Sequence, residues 1–177
     1  MNQLAWGKKV SEYFILNLVQ IVQAFGWTFE QASHLMACIA FESAETFSPS
    51  IKNAAGSGAV GLIQFMPKTA VSLGTTVDEL EKMTAVSQLI FVQKYFLPYH
   101  ARIHTLSDMY MAILLPRYIG REEDAVLFTD GHVSYRQNSG LDKNSDGRIT
   151  KAEAASLVQA KLEKGLRPEN VFFLERS

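Results

Sequence analysis

The residue of this chain best placed for acid–base chemistry is Glu42, which ends an apolar stretch. Leu35, Met36 and Ile39 recur at helical spacing before it, and Glu42 continues the face that they form. A carboxyl group held against apolar side chains loses solvation of its charged form, so its pKa rises. Such a group is still protonated near neutral pH and acts as a general acid. An isolated glutamate at this spacing is more often the last polar residue of a helix that reaches the surface.

A glycine-rich segment with a single glutamine follows Glu42 after a short gap. Gly56, Gly58 and Gly61 permit positive φ and close approach of the backbone, so we expect a turn or a short β-hairpin that borders a groove. Gln64 carries both a hydrogen-bond donor and an acceptor, which suits amide and hydroxyl groups of a substrate. A glycine-rich turn before a helix is common, so this segment would be a weak signal by itself.

Together the two segments resemble the active-site signature of soluble lytic transglycosylases and goose-type lysozymes, which cut the glycan strands of peptidoglycan. The pattern E-S-x-x-x-F-x-P starts at Glu42, and G-S-G-A-x-G-L-I-Q-F-M-P-x-T-A starts at Gly56. The resemblance is strong over residues 28–73 and closest to bacteriophage lysins and tail proteins. It implies a mainly α, lysozyme-like (α+β) domain with a small β-hairpin at the cleft. It also implies that Glu42 is the catalytic acid and that Ser43 and Gln64 contact the substrate.

A second carboxylate would distinguish hydrolysis from transglycosylation. Paired-acid glycosidases place an Asp or Glu across the scissile bond. No Asp or Glu lies between Glu45 and Asp78, and Glu45, expected one helical turn beyond Glu42, cannot easily face it across a sugar. Lytic transglycosylases resemble this layout, which implies that Glu42 acts as acid and then as base and leaves 1,6-anhydromuramic ends. A hydrolytic muramidase stays open, because Asp108 or an acid within 122–124 could fold back into the cleft.

Residues 142–153 match the EF-hand calcium loop at every defining position. The expected ligands are Asp142, Asn144, Asp146, the backbone carbonyl of Arg148, and Glu153. The polar segment 134–140 before the loop does not predict a convincing entering helix. We therefore expect a structural Ca²⁺ that fixes a C-terminal helix over 151–164, and no cofactor for catalysis. Lys151 is among the basic residues expected to offset the negative charge of the loop.

Two tyrosines are candidates for the groove. Related enzymes carry an A-Y-N-A-G-like segment whose tyrosine approaches the catalytic glutamate, and this chain lacks that pattern. Tyr110 and Tyr118 are the substitutes that the sequence offers, although ordinary packing explains each equally well. Helical signals elsewhere predict helices over 11–25, 68–73, 76–82, 85–97 and 106–115.

Composition limits the remaining possibilities. The 177 residues fit a single domain over 1–177, and a net charge of −1 argues against nucleic acid as the main partner. The single cysteine, Cys38, forms no intramolecular disulfide. The N-terminus lacks the layout of a signal peptide, and the apolar stretch 14–22 is too short to span a membrane.

The resemblance adds an expectation about where the protein acts. It implies a phage-encoded protein, made in the host cytoplasm, that reaches peptidoglycan in the periplasm through a holin or within a virion. We also expect a monomer. A protein of another class, a catalytically silent, calcium-dependent wall-binding or virion component, fits the same fold. Glu42 and Gln64 weigh against that alternative, because an inactive site has no physical need for a buried acid.

Overall fold

The helices of the chain begin mostly at hydroxyl side chains that cap the first turn. Ser11, Thr28, Thr76, Thr84, Thr105 and Thr150 each accept a hydrogen bond from a backbone N–H that the helix leaves unpaired. The computed structural model describes residues 2–174. Its helices are α1 (Glu12–Phe25), α2 (Phe29–Glu42), α3 (Pro67–Ser72), α4 (Val77–Lys82), α5 (Ala85–Phe96), α6 (Leu106–Leu114), α7 (Val133–Asn138) and α8 (Lys151–Gly165).

Two small antiparallel sheets lie among these helices. β1 (Asn2–Leu4) pairs with β4 (Phe172–Leu174), so the two ends of the described chain lie side by side. β2 (Val126–Thr129) pairs with β3 (Arg148–Thr150), and their register shifts between Val126 and Phe128. The second sheet attaches the 142–153 loop to the segment that follows α6.

α2 is the central helix of the molecule. All nine residues from Ala32 to Ala40 are buried, and the helix packs against α1, α6, α8 and β1. A helix with so few exposed positions is stable only inside a core. Because α2 ends at Glu42, the packing of the core fixes the position of that carboxyl group.

A buried ion pair joins α6 to the start of α8. Lys151 Nζ donates to Asp108 Oδ1 and to the Arg121 carbonyl, each at 2.7 Å, and both charged side chains are almost fully buried. Burial alone would raise the pKa of Asp108, but hydrogen bonds from Lys151 and from the Gly120 and His104 N–H groups outweigh it and lower that pKa. Lys151 therefore neutralises Asp108 and not the calcium-type loop, which corrects the expectation from sequence.

The structure confirms the mainly α class and changes two local expectations. The expected hairpin near the cleft consists of isolated bridges, Lys52 with Val60 and Val60 with Phe65, and not of paired strands. The segment before the 142–153 loop does form a short helix, α7, followed by a 3₁₀ turn over Ser139–Leu141. In the part of the chain that the structure describes, no helix has the length and apolar character needed to cross a bilayer.

Candidate active site

Glu42 lines a groove of about 600 Å³. Its carboxyl group leaves the core where α2 ends and is partly exposed. Phe41 and Tyr110 line the same groove and pack edge to face, with 5.6 Å between their ring centroids. Burial raises the pKa of Glu42 to about 7, because a charged carboxylate is poorly solvated there. A substantial fraction of Glu42 is therefore protonated at neutral pH.

One wall of the groove belongs to the glycine-rich segment and contributes Gln64. The backbone of Gln64 has a φ of 54°, which residues with a side chain rarely adopt. Its Nε2 donates to the Ile51 carbonyl at 3.2 Å and to the Gly61 carbonyl at 3.1 Å. These bonds fix the amide, and no donor within residues 2–174 is hydrogen-bonded to its Oε1. Gln64 therefore keeps an acceptor for a substrate in the groove.

A second wall combines the end of α6, the segment 137–141 and α8. Ile113, Leu114 and Leu157 give this wall an apolar surface, and Gln137 and Asn138 add two side-chain amides. Ligand sites commonly pair apolar surface with a few polar groups that fix orientation. The lining of the groove that contains Glu42 has this composition.

Ser43 shapes the turn after α2, which corrects the expectation that it contacts the substrate. Its side chain is fully buried, and its Oγ accepts a hydrogen bond from the Phe47 N–H at 3.0 Å. Thr46 Oγ1 donates to the Ser43 carbonyl at 2.7 Å. These bonds accompany positive φ values of 50° at Ala44 and 51° at Phe47, a strained arrangement that persists only where contacts impose it.

Glu45 is held away from Glu42 by two lysines of α8. Lys161 and Lys164 both donate to its carboxylate, the second at 2.6 Å. These hydrogen bonds lower the pKa of Glu45 and keep it charged. Because α2 ends at Glu42, Glu45 does not continue the helix as its spacing suggested, and it does not line the groove. The same contacts attach the active-site turn to α8.

Gln88 of α5 anchors the glycine-rich wall from inside the core. It is fully buried, its Oε1 accepts from the Leu62 N–H at 2.8 Å, and its Nε2 donates to the carbonyls of Pro49 and Leu80 at 2.9 Å. Gly61 must be glycine here, because a Cβ would lie 2.4 Å from the Gln88 Oε1 and its φ is +87°. Gln88 thus connects both active-site segments to one helix.

Among the groove-lining residues of the described chain, Glu42 is the only carboxylate. Asp108 is buried in its ion pair with Lys151, and Glu123 lies beside Ser107 on another face of α6. Neither Glu122 nor Asp124 lines the groove. The candidate second acids from the sequence therefore do not reach the cleft.

Tyr110 and Tyr118 have different positions. Tyr110 is buried, packs against Phe41 and lines the groove. Its contact with a substrate stays a prediction. The Tyr118 hydroxyl donates to the Val126 carbonyl at 2.9 Å, and its side chain lines a separate pocket with Arg117. Tyr118 therefore takes no part in the groove, which corrects its candidacy for substrate contact.

Internal hydrogen bonds hold the side-chain oxygen atoms of the 142–153 loop close to its backbone. Asp142 Oδ2 accepts from the Gly147 N–H at 3.0 Å, Asn144 Oδ1 from the Asp146 N–H at 2.9 Å, and Asp146 Oδ1 from the Arg148 N–H at 2.8 Å. Gly147 has a φ of 80°, as the sharp turn at loop position 6 requires.

The last predicted ligand of the loop, Glu153, is engaged in a helix cap. Its Oε2 accepts from the Thr150 N–H at 2.9 Å and from the Thr150 hydroxyl at 2.8 Å, whereas its Oε1 is buried without a partner. Within residues 2–174 no group of three His, Cys, Asp or Glu side chains is arranged to hold a metal. A metal ion here would need the Asn144 amide oxygen and the Arg148 carbonyl as ligands in addition to the carboxylates. Calcium binding stays a prediction.

The segment that carries Glu42, Gln64 and Gln88 matches a known protein family. Residues 26–89 match the transglycosylase SLT domain. Proteins with the SLT domain are peptidoglycan lytic transglycosylases. The matched segment indicates an enzyme that acts on peptidoglycan, and the fold is mainly α and lysozyme-like. No curated protein sequence matches the chain. Tyr110, α7 and the calcium-type loop lie outside the SLT match.

Sequence reasoning missed Gln88 and the two amides at the end of α7. A signal for Gln88 was present, because it lies four residues before Val92 and eight before Phe96, on the apolar face of its helix. A polar side chain in that stripe needs buried partners. Gln137 and Asn138 carry no comparable signal, since polar residues are usual in a segment predicted to be exposed.

The raised pKa of Glu42 has a consequence for stability that is independent of catalysis. The folded protein holds this proton more tightly than the unfolded chain, so the stabilisation is complete below about pH 4.5 and is lost as pH rises through about 7. Glu42→Gln lacks this titration, so its unfolding free energy should rise relative to that of wild type as the pH increases. We expect the difference between the two proteins to change by on the order of 2 kcal/mol from about pH 5 to about pH 8. Urea denaturation at both pH values measures it. Glu30→Gln, exposed on the same helix, is the control, and parallel pH curves for wild type and Glu42→Gln would contradict the raised pKa.

Replacing Gln88 with methionine should damage both stability and activity. The change keeps the side-chain volume but leaves the Leu62 N–H and two buried carbonyls unpaired, so we expect a loss of about 2–4 kcal/mol in unfolding free energy. The folded fraction should also show a lower kcat, because Leu62 directly precedes Ile63 and Gln64, which line the groove. Gln93→Met on the same helix is the matched control. A Gln88→Met protein with unchanged kcat at full folding would show that the anchor does not position the site.

Proposed function

We propose that the chain is a lytic transglycosylase that cleaves the β-1,4 bond between N-acetylmuramic acid and N-acetylglucosamine with Glu42 as acid and then as base. The observation that carries this proposal is the isolation of Glu42: it is the sole carboxylate that lines the groove in residues 2–174. A paired-acid hydrolase needs a second carboxylate across the scissile bond. The SLT match supports transglycosylase activity in general.

The proposed reaction uses one residue for both proton transfers. Protonated Glu42 gives its proton to the glycosidic oxygen, and the bond from this oxygen to the muramic C1 breaks. The carboxylate that remains takes a proton from the muramic 6-hydroxyl, whose oxygen bonds to C1 and closes the 1,6-anhydro ring. Water is not consumed, and Glu42 regains its proton. A pKa of about 7 suits both steps, since neither form of the carboxyl group is strongly disfavoured.

The surroundings of Glu42 serve this reaction through position and desolvation. The cap at Thr28 and the buried face of α2 hold the backbone, and the Gln88 anchor holds the wall that carries Gln64. Gln64 Oε1 is available to accept from a hydroxyl or acetamido group of the glycan. Rigid placement of this kind lowers the barrier by reducing the freedom that the reacting groups must lose.

Mass spectrometry of the fragments released from purified peptidoglycan tests the proposal. Wild type should release fragments with 1,6-anhydromuramic ends, and Glu42→Gln should release at least about 100-fold less, because the proton donor is gone. Glu30→Gln should behave as wild type. Fragments whose reducing ends carry one added water would make the chain a hydrolytic muramidase. Equal release by Glu42→Gln would remove Glu42 from the reaction.

We also propose that the 142–153 loop binds Ca²⁺ in a structural role. Three carboxylates, the Asn144 amide oxygen and the Arg148 carbonyl supply the hard oxygen donors that this ion prefers. The orphaned Glu153 Oε1 fits the need for a cation nearby. The loop contains β3 and the first residues of α8, so a bound ion would hold α8 against the second sheet.

Removal of calcium should lower stability more than it lowers low-temperature activity. We expect a chelator to reduce the Tm by about 5–10 °C, because an ion that binds only the folded state stabilises it by mass action. Calcium should restore the Tm in wild type but not in Asp142→Asn, while Asp130→Asn, outside the ligand set, serves as control. Parallel loss of activity and stability at every temperature would contradict a purely structural role.

A further inference from the structure

The end of α7 lies in the groove although no active-site motif covers it. Gln137 and Asn138 line the groove together with Glu42 and Gln64, yet they are far beyond the SLT match in the sequence. Gln137 is exposed and Asn138 is half-buried. The two side chains therefore meet solvent in the space that a bound glycan would occupy.

We propose that Gln137 and Asn138 form a sugar-binding subsite on this wall of the groove, a proposal that rests on the proposed function. Asn138 Nδ2 donates to the Ser134 carbonyl at 2.9 Å, which fixes the amide and leaves Oδ1 to accept from a hydroxyl or an acetamido N–H. Gln137 offers a donor and an acceptor on a longer side chain. N-acetylated sugars carry the matching groups.

Apolar side chains beside the two amides complete the subsite. Leu141 is buried and lines the groove, as does Leu157 of α8. The C–H faces of a pyranose ring and the methyl of an acetamido group gain from contact with such surface. An apolar surface flanked by amides gives the wall a preference for N-acetylated glycans over simple polyols.

Contacts of α7 with neighbouring segments hold Gln137 and Asn138 in position, as a specific site requires. The Tyr135 hydroxyl donates to Asp142 Oδ2 at 2.6 Å, and α7 also packs against β2 and the turn at Ser139–Leu141. Tyr135 is thus a positioning residue, since its hydroxyl ties the helix to the first residue of the 142–153 loop. A preorganised wall spends less free energy on ordering when it binds.

Binding of a soluble β-1,4-linked oligomer of N-acetylglucosamine tests the subsite without turnover. In the Glu42→Gln background, Gln137→Ala and Asn138→Ala should each weaken binding about 3- to 10-fold by calorimetry, the effect of one lost hydrogen bond. In the active enzyme the same changes should raise KM for peptidoglycan and leave kcat within about 2-fold. Tyr135→Phe should raise KM in the same way and to a smaller degree.

Matched controls and separate outcomes keep the two proposals distinct. Gln23→Ala on α1 and Ser134→Ala on α7 should bind as the parent does, and melting curves should show that all variants fold. Unchanged affinity in the Gln137→Ala, Asn138→Ala double variant, or equal losses in the controls, would overturn the subsite while the glycosidase stands. Absence of oligomer binding by the parent together with absence of fragments from wild type would instead overturn the proposed function.

Discussion

The structure depends on the burial of α2, because every feature of the groove is placed relative to the end of that helix. Nine consecutive buried residues from Ala32 to Ala40 leave the helix no freedom to slide or rotate in the core. Glu42 therefore stands at a fixed point where apolar packing meets solvent. The same burial that fixes the carboxyl group also raises its pKa to about 7, so position and protonation have one physical cause.

Polar contacts inside the core then attach the loops to this centre. Gln88 binds backbone groups before and within the glycine-rich segment, and Ser43 closes the turn after α2. The polar groups of these two side chains are satisfied by backbone, so the cost of their burial is offset and their loss would leave partners unpaired. These contacts convert flexible, glycine-rich backbone into a wall with one conformation, which a site for a polysaccharide needs.

α8 connects the active-site half of the molecule to the C-terminal half. At its start Lys151 is paired with Asp108, and toward its end Lys161 and Lys164 hold Glu45. Leu157, between these contacts, lines the groove. Whatever stabilises the 142–153 loop at the head of α8 therefore also steadies one wall of the groove. This arrangement makes a structural calcium ion, as proposed, relevant to the site without a role in the reaction.

The sequence by itself determined the mainly α class, the position of Glu42 at the end of a helix and the segment that matches the SLT domain, because helical spacing, capping residues and glycine spacing are local signals. It did not determine which side chains face the groove. Ser43 is buried in the turn after α2, and Tyr118 contacts Val126 outside the groove. Asp108 pairs with Lys151, 43 positions away. The roles of Gln88, Gln137 and Asn138 were not predicted from the sequence. Those outcomes were decided by the tertiary structure. The partners of Ser43 and Tyr118 depend on how the chain turns after their helices, and the surroundings of the other residues depend on which distant segment packs beside them. Local spacing carries no record of either choice.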